Sequence, residues 1–94
     1  MDELEIDLGR RLVKLRGEVL HLTPTEFGLL ESFVTNPGKL LTHRWLLERI
    51  GAAGSDSQYL RVYVGQLRKK LNDDPSQPRY IFTEPGIGYR WTEA

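Results

Sequence analysis

The run Asp56-Ser57-Gln58-Tyr59-Leu60-Arg61-Val62-Tyr63-Val64-Gly65-Gln66-Leu67-Arg68-Lys69-Lys70-Leu71 sets the architecture. At about 100° per residue, Leu60, Val64, Leu67 and Leu71 fall within a narrow arc, which predicts a helix from about Asp56 to Leu71 with that arc against a core. Asn72-Asp73-Asp74-Pro75 ends it, and both aspartates read as ordinary stop-and-turn residues. The opposite face carries Gln58, Arg61, Val62, Gly65, Gln66 and Lys69, with Arg68 at its flank and no acid. A face that meets only water more often mixes both signs. Gly65 is out of place there, because glycine inside a helix costs about 1 kcal/mol relative to alanine. Close approach by another backbone would offset that cost.

On the amino-terminal side, Gly51-Ala52-Ala53-Gly54-Ser55 is a small, permissive loop. Before it, Thr42 caps a short helix whose Leu46, Leu47 and Ile50 share one face. Two helices joined by a tight loop suggest helix-turn-helix. Upstream, Thr23-Pro24-Thr25-Glu26 combines a capping hydroxyl, a proline at the first helical position and a glutamate three residues after the cap. The helix that starts there buries Phe27, Leu30, Phe33 and Val34 and stops at Asn36-Pro37-Gly38. Leu4 to Leu8, Leu12 to Leu15 and Val19 to Leu22 alternate as three short antiparallel strands.

Downstream, Tyr80-Ile81-Phe82-Thr83 and Tyr89-Arg90-Trp91 flank the glycine-bearing turn Glu84-Pro85-Gly86-Ile87-Gly88 and read as a hairpin. The fold expected is an α+β winged helix-turn-helix with an N-terminal antiparallel β-sheet, three helices and a C-terminal β-hairpin wing. In that arrangement the third helix fills a major groove and the wing meets neighbouring backbone or minor groove.

The 94 residues size the chain for one domain, residues 1–94, and 39% hydrophobic with 28% charged residues suits a folded one. The 13 basic and 13 acidic residues cancel, but charge acts over roughly 8 Å at physiological salt, so placement matters more than the sum. Residues 1–7 carry four acids and no base, whereas residues 58–71 carry Arg61, Arg68, Lys69 and Lys70 and no acid. The absence of cysteine excludes a disulfide scaffold, a thiolate zinc site and a cysteine nucleophile. No apolar run reaches the roughly 20 residues of a membrane span, and the acidic start is unlike a signal peptide. A cytoplasmic, membrane-free protein is expected.

Other chemistries find little footing. His21 and His43 lie 22 residues apart with no carboxylate at ligand spacing, so no metal site is expected. His43 instead falls in a helical first turn, near the backbone of whatever the domain binds. Gly38-Lys39 is followed by Leu40 rather than Ser or Thr, and Ser55 and Ser57 lack a nucleophile elbow. No catalytic set and no cofactor are expected. Tyr80, Phe82, Tyr89 and Trp91 are mainly core, with Tyr89 the candidate for a phosphate contact through its hydroxyl.

Leu22-Thr23-Pro24-Thr25-Glu26-Phe27, Leu46-Leu47, Leu67-Arg68-Lys69-Lys70-Leu71 and Gly86-Ile87-Gly88-Tyr89-Arg90-Trp91 together resemble, in order and spacing, the OmpR/PhoB-type response-regulator effector domain. Tyr59 to Gly65, Pro78-Arg79-Tyr80 and Thr83 to Tyr89 look most like its subgroup that regulates potassium-transport operons. The resemblance implies a four-stranded amino-terminal sheet, three helices, a hairpin, and a linker to a phosphorylatable receiver domain, which these residues do not include. It places recognition-helix contacts on Gln58, Tyr59, Arg61, Tyr63, Gln66 and Arg68, and wing and backbone contacts on Thr83 and Tyr89. It makes the loop Gly51, Ala52, Ala53, Gly54, Ser55, Asp56 the candidate surface for RNA polymerase. It also implies a cognate histidine kinase and dimers on double-stranded DNA with repeated half-sites. Three positions depart from the family pattern: Pro85, preceded by Glu84, stands where a minor-groove arginine is common, Ile50-Gly51-Ala52 replaces a tryptophan, and Trp45 occupies a usually polar position.

The function expected is sequence-specific duplex binding, with Arg68, Lys69 and Lys70 on phosphates, Arg61 and Gln66 at base edges and Val62 against a thymine methyl. The competing expectation is a winged helix that binds an acidic protein through the same face, with Tyr63 or Trp45 as apolar anchor.

Overall fold

In a computed structural model that describes residues 3–93, the order is β1 (Leu4–Asp7), β2 (Leu12–Leu15), β3 (Glu18–Val19), α1 (Pro24–Val34), β4 (Leu40–Thr42), α2 (His43–Arg49), α3 (Ser57–Leu71), β5 (Ile81–Glu84) and β6 (Gly88–Trp91). Three helices lie between two small antiparallel sheets, β1-β2-β3 and β4-β6-β5. This is the expected α+β architecture.

Local chemistry explains the helix boundaries. The Thr23 hydroxyl accepts from the Glu26 N–H at 3.2 Å, and the Glu26 carboxylate accepts from the Thr23 N–H at 2.9 Å, closing a reciprocal capping box before Pro24. Thr42 and Asp56 cap α2 and α3 with a single side-chain bond each, accepting from the N–H of Trp45 and Tyr59. α3 stops where Asn72 turns left-handed at φ 55°, a conformation asparagine tolerates better than most residues.

Leu60, Val64, Leu67 and Leu71 all face the core, each burial contributing roughly 2 kcal/mol. They meet Phe27, Leu29, Leu30 and Phe33 of α1 and Leu46 and Leu47 of α2 in one cluster. Leu29 joins this core although the expected stripe left it out, and Val34 is only half-buried. Trp91 lies between Phe33 and Tyr80, with ring centroids 6.0 and 5.5 Å away, and so ties the wing to the helices.

Two details of the sheets differ from expectation. The amino-terminal sheet has three strands rather than four, because the remaining extended piece, β4, lies after α1 and pairs with β6 of the hairpin. The third strand ends at Val19 instead of Leu22. Beyond Leu20, whose N–H still reaches Val13, the backbone leaves the sheet, and the His21 carbonyl accepts from Lys70.

Candidate nucleic-acid interface

α3 presents Gln58, Arg61, Val62, Gly65, Gln66 and Lys69 outward, as its periodicity required. Val62 is 50% exposed, and no hydrogen bond or ion pair occupies the side chains of Arg61, Gln66 or Lys69 among the described residues. A methyl group added at Gly65 would meet nothing within 4 Å, so no contact inside the chain requires glycine there. Tyr59 and Tyr63 lean together at 4.9 Å on the first half of the helix, and hydrogen bonding to Tyr63 raises the Tyr59 phenol above its ordinary range.

The four cations of this helix divide into two pairs. Arg68 is only 9% exposed, not at the open flank: its Nη2 donates to the Ile81 carbonyl and to the Thr83 hydroxyl, both at 2.8 Å. Burial pulls its guanidinium below its ordinary value, against the favourable fields of Asp73 and Tyr89. Lys70 likewise leaves the face expected to meet phosphates. Its ammonium lies 2.6 Å from the Glu26 carboxylate and 2.8 Å from the His21 carbonyl. Glu26 is 2% exposed, so this cation neutralises a buried acid. Arg61 and Lys69 are the exposed, unpaired cations of α3.

Tyr89, expected to reach a phosphate through its hydroxyl, is buried, its ring edge-on to His43 at 5.7 Å and beneath the Arg68 guanidinium. The pleat sets Tyr89 on the sheet face that also carries the buried Leu41, Ile81 and Trp91. Thr83 is exposed, with its hydroxyl engaged by Arg68. His43, half-buried at the start of α2, donates its backbone N–H to the Ile87 carbonyl at 3.1 Å and so fixes the wing tip beside the helix-turn-helix. Gly88 permits this closeness, since any side chain there would strike the Leu41 carbonyl.

At the tip, Pro85, Gly86 and Ile87 project with no cation among them, and Ile87 is 50% exposed. The acid of the wing is accounted for: Glu84 pairs with Arg90 at 3.2 Å, and Arg90 also donates to the Gly38 carbonyl. Ile87 went unremarked in the sequence, where it looked like any hairpin apolar residue. Gly51 to Asp56 form an exposed loop in which Ala52 packs partly on the core. Ala53, Gly54 and Ser55 border a cleft of about 500 Å³ with His43, Arg44 and Leu47. Among the described residues no cluster of three His, Cys, Asp or Glu could hold a metal, and no helix is long and apolar enough to cross a membrane.

Residues 17–91 match the family described as transcriptional regulatory protein, C terminal. The chain is 46% identical over 91 residues to the KDP operon transcriptional regulatory protein KdpE of Escherichia coli, covering 95% of this chain and 40% of that protein. It is also 46% identical over 92 residues to the transcriptional regulatory protein KdpE of Mycobacterium tuberculosis, covering 96% and 41%. Among solved structures it resembles the RstA DNA-binding domain of Klebsiella pneumoniae in complex with RstA box, with a TM-score of 0.89, 30% identity, and 98% and 93% of the two chains covered. The response regulator DrrB of Thermotoga maritima, an OmpR/PhoB homologue, gives a TM-score of 0.87 at 36% identity, over 96% of this chain and 42% of that one. The chain thus spans about two fifths of the curated relatives it matches.

Proposed function

Because the chain belongs to the family of transcriptional-regulator C-terminal domains, the OmpR/PhoB-type effectors, and is no enzyme, we propose that it binds a specific DNA duplex through the outer face of α3. The observation that carries this is the acid-free surface of Arg61, Val62, Gly65, Gln66 and Lys69, opposite a fully buried apolar stripe. Lys69 neutralises phosphate, while Arg61 and Gln66 reach base edges. Arginine suits the two acceptors of guanine and glutamine the donor and acceptor of adenine, each good pair discriminating by roughly 1 to 3 kcal/mol. Val62 meets a thymine methyl, and Gly65 lets the groove approach the helix backbone.

Thr83, His43 and the Ile87 tip lie alongside the duplex and fix its position. Arg68 and Tyr89 support this surface from behind. The RstA domain that this chain resembles was captured with RstA box, which agrees with such a role. Identity to two KdpE proteins supports control of a kdp-type operon.

A single module offers a small interface, so useful affinity comes from two copies on repeated half-sites. In the longer protein a receiver domain and its histidine kinase govern that pairing, and the loop Gly51 to Asp56 faces RNA polymerase. Selection of duplexes from a random pool, followed by titration of the winner against a scrambled duplex, tests the reading. Sequence-selective binding that weakens with salt is the expected result. Equal uptake of both duplexes, or none at low salt, overturns it in favour of an acidic protein partner.

A further inference from the structure

Asp73 and Asp74 look alike in sequence and differ in the fold. Asp74 is exposed and serves its own turn, accepting from the N–H and hydroxyl of Ser76. Asp73 is 4% exposed, and its carboxylate accepts three successive backbone N–H groups, from Arg79 at 2.7 Å, Tyr80 at 3.2 Å and Ile81 at 2.9 Å. A buried carboxylate is tolerated when its oxygens are satisfied in this way.

Five residues earlier, in the last turn of α3, Arg68 takes the Ile81 carbonyl. Oppositely charged side chains, one in the last turn of α3 and one just past its cap, therefore grip both polar groups of Ile81. Ile81 opens β5, the outer strand of β4-β6-β5, and these are groups that an edge strand otherwise leaves unpaired.

We propose that Asp73 is a positioning residue for duplex binding: with Arg68 it locks the wing root to the end of α3, so that the wing tip and the outer helix face meet the duplex as one preformed surface. The proposal rests on the duplex-binding reading above. Asp73 is too deeply buried to touch DNA itself and acts through the wing. A wing free to swing would have to be ordered at each binding event, and that cost would come out of the affinity.

The test uses Asp73→Ala and the milder Asp73→Asn in the whole chain, with a duplex selected by the unaltered chain. Affinity is read by fluorescence anisotropy and contacts by hydroxyl-radical protection. Affinity falls about tenfold, roughly what immobilising one or two long side chains costs. Protection is lost where the wing lies and kept where α3 lies. Ile87→Ala is expected to weaken binding in the unaltered chain and to add nothing in either variant.

A folded Asp73→Asn that keeps the whole protection pattern and an independent Ile87→Ala effect overturns the proposal, whatever Asp73→Ala does. So does a uniform loss across both regions, the mark of a merely weakened fold. A chain that selects no duplex at all overturns the duplex-binding reading instead, which keeps the two failures apart.

Discussion

Lys69 and Lys70 are neighbours of equal charge, and Arg61 and Arg68 stand two turns apart on one helix, yet each pair is split between two tasks. Arg61 and Lys69 point outward and unpaired, whereas Arg68 is spent on the wing backbone and Lys70 on the buried Glu26. The contrast teaches that a basic stripe is not one object. A cation whose partner is already inside the fold contributes to stability, and a cation left without one is available to a polyanion.

That division is most easily broken at its inner members. Arg68→Ala removes a charged donor and leaves the buried Ile81 carbonyl unsatisfied, so chemical unfolding should show a loss of about 3 kcal/mol. An unfolding midpoint near that of the unaltered chain would show that the contact carries no weight. Lys70→Ala strands the Glu26 carboxylate and should cost about 2 kcal/mol, less than a fully buried pair because Lys70 is itself partly solvated.

That second loss is pH-dependent, with a definite sign. Burial works to raise the Glu26 carboxyl, but the hydrogen bonds from Lys70 and from the Thr23 N–H outweigh it and hold the group below its ordinary 4.5. A depressed carboxyl contributes stability above its unfolded value and loses it as pH falls through the folded one. The gap between the unaltered chain and Lys70→Ala should therefore be full near neutrality and shrink below about 4.5. A gap that stays constant on acidification would sink this assignment.

The outer members give smaller effects of another kind. Gln66→Ala should relax preference at one base pair by roughly 1 to 3 kcal/mol while leaving folding alone, as base-substituted duplexes would report. Gly65→Ala should raise stability by about 1 kcal/mol and yet weaken duplex binding. A variant improved in both would remove the reason offered for glycine on this face. Lys69→Ala should lower the slope of log affinity against log salt by about one, and Lys70→Ala should leave it unchanged. Equal slopes for the two lysine variants would erase the contrast between them.

Much of the fold was legible because its signals are local. The Thr23 to Glu26 capping box, the Asn72 stop and the Leu60, Val64, Leu67 and Leu71 arc each act within a few residues of themselves. The outer face followed from that arc by subtraction. Arg68, Lys70 and Asp73 were illegible for the opposite reason, since their partners come from other elements. Arg68 meets Ile81 13 residues on, Lys70 meets Glu26 44 residues back, and Asp73 binds backbone N–H groups that carry no side-chain signature. The phosphate contact given to Tyr89 went against the alternation of its strand, which sets residue 89 on the same inner face as Trp91. The strand count of the first sheet depended on β4 choosing β6 as its partner, again a long-range matter.

The most direct measurement is amide chemical-shift mapping of the chain as the selected duplex is added. The backbone signals of Arg61, Val62, Gly65, Gln66 and Lys69 should move most, with Ile87 at the wing tip following and the strand residues Leu4–Asp7 staying still. A titration that binds tightly, leaves that helix face silent and shifts the amino-terminal sheet would contradict the account.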